Sequence, residues 1–428
     1  MLGTSTLIAR CTLSTAYARA FVTSTGVSRP YTTKTDSSRD GGSTSRQEKP
    51  GPAKNSDADA DADTGAGAKS SGRTIPEVRT MDGAPNLYIF RLETFGPELP
   101  LVMRDAHQLP AMERWFDPRR HGHVFAPRLT KHSQTIFPYE LTDPGARPEP
   151  SPSSPSLFTD SSAPALPLPY VLTEFRNWLV NRSNESYLPL MALIMGLTDP
   201  AMAPERAADD RGEGVEFRQF YGPLGLLARA CEFNETRRTP AERLQRLYIA
   251  QAPVEKLPAP LGAYGAPPKG GEEDAGDLPT PSLVRSAGRG DVYGSSVWLG
   301  LEPTYTPPHR DPNPNLFCQL LGEKRVRLLP PARGDALYDR VRRRCGLHPG
   351  NAHLRGPEMM GGAEREALER AVWDDEGVVE DGDEGLAEDM QQTILRPGDS
   401  MFIPKGWWHS IRSNGAGVLN ASVNWWFR

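Results

Sequence analysis

What most constrains this chain is a series of short apolar runs that fills its C-terminal third. Ser296–Leu301, Asn315–Leu321, Arg325–Leu329, Thr393–Leu395, Ser400–Ile403, His409–Arg412 and Val418–Phe427 are separated by turn residues and by one long polar stretch. Runs this short, rich in β-branched and aromatic residues, read as strands rather than helices. Asn315–Leu321 and Arg325–Leu329, joined across Gly322-Glu323, read as a hairpin. A chain built this way needs a sheet to bury its core.

Composition limits how much of the chain can fold. With 42 prolines, 40 glycines and 37% hydrophobic residues among 428, about 250 to 300 residues can supply one β-rich domain. The net charge of −5 gives no general pull toward nucleic acid or an anionic membrane. Cys11, Cys231, Cys318 and Cys345 form no Cys-x-x-Cys pair, which argues against a structural zinc or a disulfide framework. The longest strongly apolar run, Tyr187–Leu197, is too short to span a bilayer and contains Pro189. No membrane association is expected.

Residues 1–35 carry Arg10, Arg19, Arg29 and Lys34, many Ser, Thr and Ala, and no acidic residue. That is the composition of a mitochondrial transit peptide and predicts a matrix location; a disordered Ser/Thr-rich tail is the competing reading. Residues 36–78, with the run Asp57–Asp63 of alternating Asp and Ala, read as a disordered linker. The remainder, 79–428, reads as one domain with loose insertions at about 144–168, 257–282 and 333–390. Helical character is expected over 170–250, including Tyr170–Leu179 and Ala241–Tyr248. The last insertion holds a basic run, Arg340 to Arg344, and nine acidic residues between 374 and 389. The two runs either pair with one another or are simply solvated, and in so glycine-rich a stretch solvated runs are the expectation.

His309-Arg310-Asp311 carries the first chemical signal. On an extended strand, residues i and i+2 project to one face, so both side chains can converge on one ion. A second histidine would complete a two-histidine, one-carboxylate triad, which leaves coordination positions open and suits non-haem iron(II). His-x-Asp alone is weak, and His309 after Thr306-Pro307-Pro308 could simply sit in a polar turn. Arg396-Pro-Gly-Asp-Ser-Met-Phe-Ile-Pro-Lys-Gly-Trp-Trp-His409 changes the balance: a turn at Gly398-Asp399, a short strand, a stop at Pro404, then His409 after an aromatic rim. His107, His121, His123, His132, His348 and His353 have no comparable setting.

Three segments together, Thr306–Asp311, Asn315–Pro331 and Gly398–His409, resemble the JmjC, or cupin-like, hydroxylase family. The pattern is similar to the asparaginyl hydroxylase that inhibits hypoxia-inducible factor and to related small JmjC hydroxylases. The match is strong over about 290–331 and 394–428 and weaker over 95–255. The resemblance implies a mainly β fold, a double-stranded β-helix (jelly-roll) core with flanking α-helices. It implies Fe(II) held by His309, Asp311 and His409, with 2-oxoglutarate and O2 as cosubstrates. It places Lys324 at the far carboxylate of 2-oxoglutarate, with hydroxyls from Thr306 and Tyr248. Asn315 and Asn424 fall beside the metal-bound end, and Phe317 walls the pocket. Taken singly, each has a plainer reading: Lys324 as a solvated turn charge, Tyr248 as a core aromatic on a helix, Asn424 as a strand residue bonded to its neighbours.

The implied reaction is a 2-oxoglutarate-dependent dioxygenation that releases succinate and CO2. A protein side chain is the favoured substrate. A tRNA or other nucleic-acid substrate stays open through the Arg340–Arg344 run, although its acidic neighbour would weaken a phosphate contact, and a small-molecule substrate is a further alternative. A non-catalytic cupin-like binding or scaffold protein is the reading from a different class. Because Arg428 follows the last expected strand directly, the dimerisation that some family members achieve with C-terminal helices is not carried over.

Overall fold

Strand pairing, rather than helix packing, organises the computed structural model, which describes residues 75–117, 125–143, 166–182, 187–198, 216–262, 276–347, 363–374, 389–413, 415 and 417–428. Contacts divide the chain into two units, Met1–Lys69 and Ser70–Arg428, and every described residue belongs to the second. The expected leader and most of the expected linker lie outside the described residues.

Thirteen strands follow one another among these residues: β1 (Thr80–Asp82), β2 (Leu101–Arg104), β3 (Ile136–Asp143), β4 (Glu216–Pro223), β5 (Leu247–Pro253), β6 (Val292–Leu301), β7 (Tyr305–Arg310), β8 (Asn315–Leu321), β9 (Lys324–Leu329), β10 (Gln391–Leu395), β11 (Ser400–Ile403), β12 (Trp408–Arg412) and β13 (Leu419–Phe427). They form a nine-stranded sheet, β1-β2-β11-β8-β13-β6-β5-β3-β4, and a four-stranded sheet, β10-β9-β12-β7. This strand-rich pair of sheets is the jelly-roll expected from the family resemblance.

β8 and β9 do not form the expected hairpin. β8 pairs with β11 and β13 in the large sheet, and β9 pairs with β10 and β12 in the small one. The link Gly322-Glu323 is a corner where the chain passes from one sheet to the other, with Gly322 at φ +70°. Two strands joined by a two-residue link look alike in sequence whether they pair or part. What decides here is that every residue of β8 is buried, so both its edges and both its faces are taken by other elements.

Alternation along β13 shows how the layers are divided. Leu419, Ala421, Val423, Trp425 and Phe427 enter the main apolar core, on the outer side of the large sheet. Asn420, Ser422, Asn424 and Trp426 point the other way, into the space between the sheets. The first three of these are at most 1% exposed, so this polar face is buried too. Val326, Leu328, Ile411, Trp407 and Phe317 form a small apolar cluster in the same interior.

The stretch 333–390 is not loose throughout. Pro331–Arg344 and Ala363–Trp373 are helices, and Leu337, Tyr338, Val341, Leu368 and Val372 pack with Trp408 on the outer side of the small sheet. Gly334 is required there, since a Cβ would lie 2.7 Å from the Trp408 Cβ. Arg342 pairs with Glu364 at 3.0 Å; of the acidic run, 375–388 lies outside the described residues. Helices also occupy Leu168–Val180, Leu188–Thr198 and Leu224–Glu235. Ala241–Tyr248, however, is not helical. A single turn at Pro240–Glu242 gives way to β5, after Arg246 turns the chain at φ +57°. Tyr248 is therefore a strand residue, paired with Gly300 of β6.

Of the expected insertion at 257–282, the described flanks are packed rather than loose. Leu261, Leu278 and Asp277 are buried, and the Asp277 carboxylate accepts from Arg114, Arg128 and Trp115. Of the insertion at 144–168, only 166–168 is described. No helix among the described residues is long and apolar enough to cross a membrane.

Candidate metal centre

β7 and β12 lie antiparallel with His309 and His409 as direct partners, so strand geometry puts both imidazoles on one face. Their ring centroids are 4.2 Å apart. Asp311 follows the end of β7 and returns its carboxylate to the same place. One ligand atom from each of His309, Asp311 and His409 lies within 4.8 Å of the others. The expected turn is also present: Gly398 has φ +91°, and Asp399 accepts from Arg104 at 2.7 Å and from the Arg396 amide at 3.0 Å.

Each histidine is anchored by its own strand. His309 Nδ1 lies 2.9 Å from the Pro307 carbonyl and His409 Nδ1 lies 3.0 Å from the Trp407 carbonyl. A carbonyl only accepts, so Nδ1 carries the proton and Nε2 keeps its lone pair for a metal. His409 Nε2 is 3.7 Å from Asp311 Oδ2. Burial, reinforced by the neighbouring His309, holds the His409 imidazole below its ordinary range, against the pull of Asp311. Burial would raise the Asp311 carboxyl, but the two histidines and the donors on it win and hold it below the usual range. Neutral imidazoles and an ionised carboxylate are the states a divalent metal requires.

A relay of amides fixes the carboxylate. Asp311 Oδ2 accepts from Asn315 Nδ2 at 3.1 Å and from Trp426 Nε1 at 2.7 Å. Asn315 accepts from Asn424 at 3.0 Å, and Asn424 accepts from Trp298 at 2.8 Å. Asn315 and Asn424, singled out from sequence, thus meet each other and reach the acid. Trp426 and Trp298 were missed. Trp426 had a usable signal, standing two residues beyond Asn424 on the same strand face.

Lys324 opens β9 inside the barrel and is 3% exposed. Its ammonium donates to Ser422 at 2.8 Å and to Tyr248 at 3.2 Å, and lies 5.4 Å from the centre of the Phe317 ring. Burial lowers its amine to about 7, with Glu302 pulling the other way. Ser422 was missed, although it precedes Asn424 by two residues on the same face. Thr306 faces this interior from β7, opposite Ile411, and its carbonyl accepts from Ser410. Among the described residues, the hydroxyls bonded to Lys324 are those of Ser422 and Tyr248, and Thr306 is not joined to it.

A family model described as a cupin-like domain matches residues 90–428, and the chain belongs to that family, in its JmjC branch. Over 133 residues it is 31% identical to "Jumonji C domain-containing protein 5" of Drosophila melanogaster, covering 31% of this chain and 27% of that protein. It is 24% identical over 152 residues to "Lysine-specific demethylase JMJ31" of Arabidopsis thaliana, covering 36% of this chain and 23% of that one. With "Lysine-specific demethylase 8" of Xenopus tropicalis it shares 27% over 137 residues, covering 32% and 26%. The chain thus spans about a quarter of the length of these relatives.

Proposed function

We propose that this chain is an iron(II)- and 2-oxoglutarate-dependent dioxygenase that hydroxylates a side chain of a protein substrate. The observation that carries the reading is the convergence of His309, Asp311 and His409 in a barrel interior that also holds the buried Lys324. The donor set fits iron: two nitrogen ligands and one carboxylate, with positions left open. Lys324 fits a dicarboxylate, because its hydrogen-bond partners are hydroxyls and none is a carboxylate. Iron with 2-oxoglutarate and O2 supplies an oxidative decarboxylation that yields succinate and CO2 and places one oxygen atom in a C–H bond.

The chain's own residues do the rest. His309, Asp311 and His409 hold the metal, and the Asn315–Asn424–Trp298 relay with Trp426 keeps the Asp311 carboxylate oriented. Lys324, Ser422 and Tyr248 take the distal carboxylate, and Phe317 keeps water from that contact. Two relatives named as lysine-specific demethylases favour a protein substrate over nucleic acid. Import into the mitochondrial matrix belongs to the same proposal and rests on residues 1–35.

The test is succinate formation by purified protein with Fe(II), 2-oxoglutarate and O2, beside Asp311→Ala. Turnover present in the wild type and lost in the variant is expected. Absence of turnover together with absence of iron and 2-oxoglutarate binding would leave a non-catalytic cupin-like binding protein. For location, a fluorescent fusion of residues 1–78 is expected to enter mitochondria, and a diffuse signal would refute the leader.

A further inference from the structure

Next to Lys324 lies a second group of buried polar side chains that the reaction above does not use. Glu302, one residue past β6, is 6% exposed, and its Oε1 accepts from Asn420 Nδ2 at 2.7 Å. Asn420 also donates to the Glu323 carbonyl at 3.1 Å and accepts from Gln319 at 3.1 Å. Gln319 in turn donates to the carbonyls of Leu321 and Gly322. These bonds fix the corner from which Lys324 emerges. Asn420 and Ser422 are two residues apart on one face of β13, so the side chain holding Glu302 neighbours the side chain holding Lys324. Gly417 donates to the Glu302 carbonyl at 2.6 Å, and a Cβ at Gly415 would collide with the Glu302 carboxylate.

A carboxylate buried this far needs a cation or a proton, because an amide donor satisfies an oxygen but not a charge. Burial raises the Glu302 carboxyl, with Asn420 and then the Lys324 charge pulling it back down, and Glu302 in turn opposes the lowering of the Lys324 amine by burial. The remaining groups are few. Tyr248, Ser422 and the Phe317 ring face Lys324. Asn420, the Gly415 backbone and Glu323 act on Glu302, and Glu323 is itself engaged by Arg396 at 3.1 Å.

We propose that Glu302 is a positioning residue of the cosubstrate pocket: fixed by Asn420, its carboxylate is the counter-charge that keeps the Lys324 amine cationic before a 2-oxo dicarboxylic acid arrives. The proposal rests on the 2-oxoglutarate reading of the site. With Glu302 neutralised, the amine loses its proton at lower pH, and the ligand must bring a proton with it. Affinity then falls about tenfold for each pH unit above the amine's own pKa.

The test uses the full chain with lysines 13C-labelled at Cε, following the Lys324 resonance by NMR and assigning it with Lys324→Met. In Glu302→Gln the midpoint should fall by about one pH unit or more, while Glu323→Gln should leave it near wild type. Calorimetry with 2-oxoglutarate on anaerobic iron-loaded protein should show about tenfold weaker binding for Glu302→Gln at pH 8, and a smaller difference at pH 6. Should Glu302→Gln fail to fold, Asn420→Ser must shift the midpoint in the same direction. An unchanged midpoint in either variant overturns the proposal. Wild-type protein that binds no 2-oxoglutarate at any pH would overturn the dioxygenase reading instead, while the amine titration, which needs no ligand, still decides the role of Glu302.

Discussion

Asp311 takes two hydrogen bonds on one oxygen, from Asn315 and Trp426, so its orientation is set before any metal binds. Trp426→Phe removes the shorter bond and keeps most of the ring. We expect iron affinity to drop roughly 10- to 100-fold with the fold retained; unchanged affinity by competition titration would count against the role given to Trp426. Ser422→Ala removes a hydroxyl from the Lys324 ammonium. A bond to a charged group contributes about 1.5 kcal/mol or more, so KM for 2-oxoglutarate should rise about tenfold or more with kcat little changed. Lys324 also has a signature in stability. Its amine falls from 10.5 to about 7 on folding, so between these pH values the unfolded chain binds more protons and stability rises with pH. Lys324→Met should abolish that rise and be unable to bind 2-oxoglutarate. Denaturant unfolding at pH 7 and pH 9.5 checks the first statement, and a Met variant whose stability still climbs with pH as in the wild type would contradict it.

Among the elements, the strands that carry the site were the most legible. β8, β11, β12 and β13 fall where short apolar runs and turn residues placed them, whereas β7 had no such run and a polar turn competed with an extended strand at His309. β3 and β4 were not anticipated, and β5 was read as helix, since Ala241–Tyr248 is rich in helix formers and only the backbone reversal at Arg246 breaks it. The polar face of β13 was legible as alternation, but not as a buried face. Alternation alone reports that one side is polar; only the second sheet tells that this side is closed off from water. Lys324 illustrates the same gap, because a lysine after Gly322-Glu323 looks like a solvated turn charge until the corner is seen to lead inward. At this scale Gly300 of β6 is a specific weak point. A Cβ there would lie 2.6 Å from the Leu247 carbonyl, so Gly300→Ala should force β5 away from β6. Overpacking of this kind costs about 1 to 3 kcal/mol. KM for 2-oxoglutarate should rise as well, since Tyr248 moves with β5; a variant with wild-type unfolding midpoint and KM would refute the contact.

For the molecule as a whole, Asp277 joins segments distant in sequence. Its carboxylate is fully buried and accepts from Arg128 at 2.7 and 2.8 Å, from Trp115 at 3.0 Å and from Arg114 at 3.1 Å. Its backbone bonds Ala111 and Pro260. Asp277→Ala leaves the buried Trp115 indole N–H without its acceptor, at a cost of about 1 to 3 kcal/mol, so it should lower the melting temperature by a few degrees without touching the metal ligands. An unaltered melting curve would show that the knot contributes little.

The seat of β13 has one more consequence. It lies between β6 and β8 in the middle of the large sheet, and it supplies Asn420, Ser422, Asn424 and Trp426 to the interior. A chain growing from the ribosome makes both neighbours long before it makes the strand that joins them, and contacts so distant in sequence form slowly. Until β13 arrives, β6 and β8 present unfilled edges, and neither the carboxylate relay nor the lysine's hydroxyl partner exists. The carboxylate relay and the lysine's hydroxyl partner are therefore completed together, in the single step by which β13 docks between β6 and β8.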